Sequence, residues 1–154
     1  MPNFKFDPKN PDAAEWASLH AADAITGISE TTRDEIRDLV EEAMSGEFDP
    51  DELATEIAHA LGDDARAEVI ARTESIQAAN QGQLEAWNQA LEDGLIGKHA
   101  KKVWVTTPDD KLCPICEALD GEEVGLDEEF DVEGEGVEAP PAHPNCRCVV
   151  ALVP

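Results

Sequence analysis

All four cysteines lie within the last 42 residues, as Cys113-Pro114-Ile115-Cys116 and His143-Pro144-Asn145-Cys146-Arg147-Cys148. The pattern is C-x2-C, 26 intervening residues, then H-x2-C-x-C. Two close pairs of soft donors joined by a loop are what a closed tetrahedral zinc site needs, because each short spacer lets one pair grip one ion. The prolines stiffen both turns in advance. Five donors compete for four places. Cys113, Cys116, His143 and Cys146 form the more natural set, since H-x2-C repeats the spacing of C-x2-C. Cys148 is the alternative ligand, in place of His143 or Cys146. Either choice leaves no position for water, so the expected cofactor is a structural Zn2+, supplying on the order of 10 kcal/mol of folding free energy in isolated modules of this kind. Two disulfides or free thiols are the competing reading. They are disfavoured because MPNFKFDPKNPD lacks the apolar region of an export signal, and a CxxC in a reducing compartment is seldom a structural bridge.

The same residues fit no other familiar site chemistry. A nucleobase deaminase needs H-x-E with P-C-x-x-C, whereas Pro114 lies inside the cysteine pair and no histidine is followed by x-E. H-E-x-x-H, a Gly-rich phosphate loop and G-x-S-x-G are absent. A thioredoxin-type use of Cys113 and Cys116 wants a βαβ context that residues 100–112 do not offer. His20, His59 and His99 fall in the helical half and read as surface positions. The expectation is therefore a chain with no catalytic residues, one that is no enzyme.

The elements that must position the donors follow from periodicity and caps. Residues 1–9 read as an arm. Asn10-Pro11 opens a helix to about Thr26, with Trp16, Leu19, Ala24 and Ile25 as its apolar positions and Gly27 as its stop. Thr32 and Glu35, at capping-box spacing, start a second helix carrying Ile36, Leu39, Val40 and Ala43. Asp49-Pro50 with Glu52 starts a third, lined by Leu53, Ile57 and Leu61. A long segment from Asp63 to about Asp93 carries Val69, Ile70, Ile76, Leu84, Trp87 and Leu91, with Gly82 as a kink or break. Strands are expected at 102–107 and 148–153, with a short one at 123–126. From Glu117 to Glu138 there are eleven acids and no base, which reads as a solvated loop. The fold class is thus α+β: N-terminal helices, three short and one long, followed by a small antiparallel β unit with a Cys/His zinc knuckle. The boundaries are 1–9 arm, 10–99 helical region and 100–154 β unit with the acidic loop 117–138, in one compact domain.

Charge narrows the partners. The chain has 35 acidic and 11 basic residues, a net charge of −24. No apolar run reaches the roughly 18 residues of a membrane span, so no membrane partner is expected. Phosphate binding would be repulsive over most of the surface, so no direct nucleic-acid binding is expected either. The exception would be Lys98, His99, Lys101 and Lys102. Acids spread along the whole chain, with few lysines, fit adaptation to molar salt, where the screening length falls to about 3 Å. Such a domain should loosen in low salt.

Beyond these readings, the sequence resembles the phage Mu F-like head morphogenesis proteins, the minor head proteins of tailed viruses. The resemblance rests on Ala71-Arg72-Thr73-Glu74 with Asn80, Lys102-Val103-Trp104, and Asp109 or Asp110 ahead of Cys113-Pro114-Ile115-Cys116. It continues through Leu119-Asp120-Gly121 and Pro140-Pro141-Ala142-His143-Pro144-Asn145-Cys146-Arg147-Cys148. It covers about residues 28 to 152. It implies a virion component in the head interior or at the portal vertex, found in host cytoplasm during assembly. The portal protein and/or the major capsid protein are the implied partners, and head assembly with genome packaging or delivery the implied role. The acidic character points to a virus of a halophilic archaeon. Arg72 and Glu74 read either as a polar site in a cleft or, preferably, as a structural network, with Arg72 pairing a carboxylate or capping the β unit. Trp87 and Trp104 read as core, and Trp16 as a docking anchor or helix packing. A metal-dependent hydrolase or nuclease module and a zinc-stabilised cellular adaptor are the alternative functions.

Overall fold

The computed structural model describes residues 11–46 and 49–154. The expected arm at 1–9 and the Asn10 cap lie outside them. The order is α1 (Pro11–His20), α2 (Glu30–Met44), α3 (Pro50–Leu61), α4 (Asp64–Glu92), β1 (Lys101–Val105), α5 (Pro114–Leu119), β2 (Glu123–Gly125), β3 (Phe130–Val132), β4 (Glu135–Val137) and β5 (Val149–Val153). The fold is α+β, as expected.

The helix signals are carried out locally. Asp49 accepts from the amides of Asp51 and Glu52 while the Glu52 carboxylate accepts from the Asp49 amide, a complete capping box. Gly62 closes α3 in the left-handed conformation at φ 70°. At α2 the cap is Ser29, whose hydroxyl oxygen accepts from the Thr32 amide, so the start lies one turn ahead of the expected Thr32 cap. Helix α1 ends at His20, well short of Thr26. Ala22 turns left-handed at φ 67°, and its amide donates to Glu74 of α4 at 2.9 Å. Arg33 donates to the Ala22 and Asp23 carbonyls, and Arg37 to that of Ala21. Partners from α2 and α4 thus satisfy the helix end that solvent would otherwise hold.

The core around α1 is only partly the expected one, since Ile25 is buried and Trp16 packs against the cluster. Ala13, Ala14, Ala17 and Ala21 are buried, whereas Leu19 is 63% exposed and Ala24 is exposed. The small side chains serve a close crossing. A Cβ on Gly82 of α4 would sit 2.3 Å from the Ala13 backbone nitrogen. Gly82 therefore neither kinks nor breaks α4, which runs unbroken for 29 residues; it lets α1 lie against it.

Two apolar clusters result. One joins α1, α2, α3 and the first half of α4 around Ile36, Val40, Leu53, Ile57 and Ile70. The other joins Leu84 and Trp87 of α4 to Trp104, Leu119, Phe130 and Val150. The second contains a three-stranded antiparallel sheet in the order β2-β1-β5, with Trp104 opposite Val150 and Val103 opposite both Glu123 and Ala151.

The acidic stretch 117–138 is not one solvated loop. It holds the end of α5, strand β2 and a hairpin of β3 and β4. Phe130 and Val132 point inward while Asp131 points out. Glu133 and Gly134, both at positive φ (54° and 94°), form the tight turn. The acids hid a period-2 strand. Phe130 meets Trp104 edge-on, with ring centroids 5.1 Å apart. Lys102, read as part of a basic surface patch, is instead 1% exposed. It donates to the Leu126 carbonyl at 3.2 Å and lies 5.6 Å from the Phe130 ring centre.

Candidate metal centre

The five expected donors come together as two overlapping triads that share Cys116, one of Cys113, Cys116 and His143 and one of Cys116, Cys146 and Cys148. Cys113 caps α5, its sulfur accepting from the Cys116 amide at 3.4 Å, and Pro114 takes the first helical position. One turn of helix therefore sets both thiols of the C-x2-C on one side. The second arm is a turn from His143 to Cys146, closed by the Cys146 amide on the His143 carbonyl at 3.2 Å, with Asn145 at φ 66°. His143 Nδ1 lies 2.8 Å from the Pro144 carbonyl. That carbonyl can only accept, which assigns the proton to Nδ1 and leaves the Nε2 lone pair facing the thiols.

His143 Nε2 is 3.0 Å from Cys113 Sγ and 3.3 Å from Cys116 Sγ, and Cys116 Sγ is 3.7 Å from Cys146 Sγ. A tetrahedral zinc with sulfur ligands at about 2.3 Å and nitrogen at about 2.0 Å has edges of about 3.8 Å between sulfurs and 3.5 Å between sulfur and nitrogen. The Cys116–His143 and Cys116–Cys146 spacings are within about 0.2 Å of those edges, and the Cys113–His143 spacing is about 0.5 Å shorter. Cys148 sits with Cys116 and Cys146 in a second, overlapping triad, fully buried, the donor atoms of each triad lying within 4.8 Å of one another. A cavity of about 20 Å³, bordered by all five donors, opens among them. Among the described residues the buried Trp104 indole N–H has no hydrogen-bond partner, and the indole favours the Cys148 thiolate. The donor set can hold a metal ion.

The donors compete for protons. The Cys148 thiol and the amides of Cys148 and Ala142 hold Cys146 down to about 5. Burial pushes Cys116 up to about 12, and the neighbouring Cys146 pushes Cys148 up. At Cys113 burial works upward but is outweighed by the Cys116 amide and His143, so the net shift is down. At His143 burial works downward but is outweighed by the Pro144 carbonyl and Cys113, so the net shift is up.

Long-range polar contacts hold the turns. Arg72 donates to the Asn145 side-chain carbonyl, and the Asn145 amide donates to the Thr73 hydroxyl at 2.8 Å. Two turns further along α4, buried Asn80 donates to the carbonyls of Pro140 (3.1 Å) and Cys148 (3.3 Å) and accepts from the Val150 amide at 3.0 Å. Of the two arrangements expected for Arg72, a carboxylate partner or the β unit, it takes the second, through the Asn145 side-chain carbonyl. Glu74 faces the other way and holds the α1 turn. Arg147, between two donors, makes a double hydrogen bond to Asp109 at 2.5 and 2.6 Å, which holds that carboxyl down at about 2. Asp120 accepts from the amide and hydroxyl of Thr106, which lowers its pKa. Trp87 and Trp104 are core, as expected, and Trp16 packs partly buried against the helical cluster, 5.3 Å from the His20 ring. His20, His59 and His99 are exposed. The clasping role of Thr73 and the buried state of Lys102 escaped the sequence reading, since neither residue carries a local signal of a partner so distant in the chain.

The phage Mu protein F like family matches residues 34–151. The chain belongs to the phage Mu F-like family. It is accordingly a phage-head-related structural protein, and its Cys/His cluster lies within the matched region. A curated relative of this family member is the NAD(+)–arginine ADP-ribosyltransferase EFV of Enterococcus faecalis (strain ATCC 700802 / V583), 30% identical over 133 residues. The match covers 79% of this chain and 26% of that protein, so the chain spans about a quarter of the relative's length. No solved structure matches the chain. The relative corrects one expectation. A protein alike over most of this chain is named as a transferase, so the expectation of no enzyme does not stand. The two relationships point differently, one to a structural family and one to an enzyme. Among the described residues no helix is long and apolar enough to cross a membrane.

Proposed function

We propose that this phage Mu F-like chain is a minor head protein of a tailed virus. In this reading it binds the portal or inner capsid and supports head assembly and genome packaging or delivery, with residues 100–154 held rigid by a structural Zn2+. The family match over 34–151 is the observation that carries the virion reading. Cys113, Cys116, His143 and Cys146 would hold the ion, supported by the spacings of 3.0 to 3.7 Å that link Cys113 to His143, His143 to Cys116 and Cys116 to Cys146. Cys148 would stand beside them, next to Cys116 and Cys146. When bound, the ion would cross-link the Cys113–Cys116 turn to the His143–Cys146 turn, adding to the Arg147–Asp109 pair that already joins them. The protein's own residues orient the donors: Arg72 and Thr73 fix the Asn145 turn, Asn80 fixes the strand that follows Cys148, and Arg147 ties the cluster to the 106–112 loop. Residues 10–99 and 100–154 act as one compact domain in this reading, because α4 contributes to both apolar clusters. The net charge of −24 fits a virus of a halophilic archaeon.

Quantitative mass spectrometry of purified, nuclease-treated particles in molar salt tests the role. A few copies per particle alongside portal peptides support it, and absence from particles overturns it. Elemental analysis tests the ligand set: Cys148→Ser should keep one zinc per chain, and Cys146→Ser should lose it.

One observation favours a second reading, the relative named as an arginine ADP-ribosyltransferase. Here the chain itself would transfer ADP-ribose from NAD+ to arginine, the activity named for the relative. Transfer of label from NAD+ to an arginine ester by the chain would support it, and no transfer would leave that activity with the relative alone.

A further inference from the structure

Helices α3 and α4 run antiparallel from the Gly62 turn, and a groove of about 740 Å³ opens between them. Its floor is small: Ala54 and Ala58 of α3 and Ala71 of α4. Its rim carries Asp51, Asp64 and Glu68. On α4 the lining residues recur at 64, 68, 71–72 and 75–76, one helical face, and on α3 at 51, 54–55 and 58–59. At about 1.5 Å per residue the facing stripes are roughly 12 and 18 Å long, the length of two to three helical turns. A floor of alanines lets another backbone approach closely, and the volume admits several aliphatic side chains. Charge then selects the occupant. Three carboxylates face one cation, Arg72, whose guanidinium is already engaged by the Asn145 carbonyl. A second copy seated groove to groove would set the same three carboxylates against these at contact distance, where even molar salt screens little, so a second copy is disfavoured.

We infer that the α3–α4 groove docks an amphipathic helix of a partner protein, presenting small aliphatic side chains flanked by lysine or arginine. The inference rests on the head-protein reading only for where such a partner occurs, and deepens it by naming the partner's chemistry. Because Arg72 joins the groove to the Asn145 turn, a docked helix lies next to the segment that carries His143 and Cys146.

The test uses the full zinc-loaded chain and a fluorescent 14-residue helical peptide with a Leu/Ala seam flanked by lysines, beside the same peptide with glutamines for the lysines. Saturable one-to-one binding of the lysine peptide is expected, with amide NMR shifts confined to α3 and the first half of α4. Thr55→Trp, at an exposed position in the groove, should weaken binding about tenfold or more, as should Ala58→Trp. Asp64→Lys and Glu68→Lys should each weaken it up to about fivefold. Glu92→Lys, some 24 Å away along α4, should leave it unchanged. Equal losses from Glu92→Lys and Glu68→Lys, unaltered binding by Thr55→Trp, no saturable binding, or self-association through the groove each overturns the inference. Particle mass spectrometry separates the two readings. Peptide binding by a chain absent from particles sinks the head role and leaves the groove, and presence in particles without peptide binding does the reverse.

Discussion

The helical bundle and the β unit are held by different physics. In the bundle, alanines and aliphatic stripes interlock with backbone almost touching backbone, as at Ala13 and Gly82, and polar groups only close helix ends. In the β unit short strands surround two tryptophans and a cluster of thiols, and buried polar side chains bridge segments some 60 to 70 residues apart, as Asn80 does. Continuous apolar helices bury enough surface to pack without help, whereas strands of three to five residues do not, and need cross-links. Helix α4 takes part in both regions.

With the proposed Zn2+ bound, the largest effect expected is its removal. A strong chelator should melt the sheet and α5, seen as loss of the near-ultraviolet signal of Trp87 and Trp104, at a cost on the order of 10 kcal/mol. The far-ultraviolet helix signal of α1–α3 should persist. Simultaneous loss of both signals would show one shared source of stability and break the contrast. The next effect is at the bridge. Asn80→Ala strands the Val150 amide and two carbonyls in the core, which costs about 2–4 kcal/mol. Urea unfolding measures it, and a change under about 0.5 kcal/mol would show that water replaces the side chain.

These two predictions also mark what could be read beforehand. The donor set, the α3 capping box, the long fourth helix and strands β1 and β5 were legible, because each signal lies within a few neighbouring residues. Thr73 and Asn80 were visible as motif residues, but their partners near residues 140–150 were not, since a hydrogen bond across the fold leaves no periodic trace. The hairpin at Phe130–Val137 was masked by flanking acids that face solvent. The end of α1 was misjudged because the competing partners, Glu74, Arg33 and Arg37, come from other helices.

Gly82→Ala tests the bundle side of the contrast. On an exposed helix the change would stabilise by up to about 1 kcal/mol. Here the added carbon meets the α1 backbone, and a net loss of about 1–3 kcal/mol is expected, read as a lower thermal midpoint. A higher midpoint would mean that α1 slides away at little cost, and that its alanines are not tightly engaged.

The smallest effects are in pH dependence, and they have opposite sign in the two regions. Glu74, in the bundle, has its pKa raised, chiefly by burial and against the Ala22 amide. Its contribution is greatest below the ordinary carboxylate range, near 4.5, and is lost as pH rises through the higher folded value, because the folded state then gives up a proton it held more tightly. Lys102, in the β unit, has its pKa lowered by burial, against the pull of Glu138, Asp127, Glu129 and Glu128. The folded state sheds that proton more readily, so its burial penalty is full at low pH and relieved as pH climbs toward 10.5. Glu74→Gln should therefore flatten the stability profile on the acid side alone. Lys102→Met, which keeps the length of the buried stem, should flatten it on the alkaline side alone and leave the neutral midpoint nearly unchanged or higher. Each slope is read from denaturant midpoints between pH 4 and 10. If both substitutions altered the same limb, the two buried charges would be coupled through α4 and the regions would titrate as one.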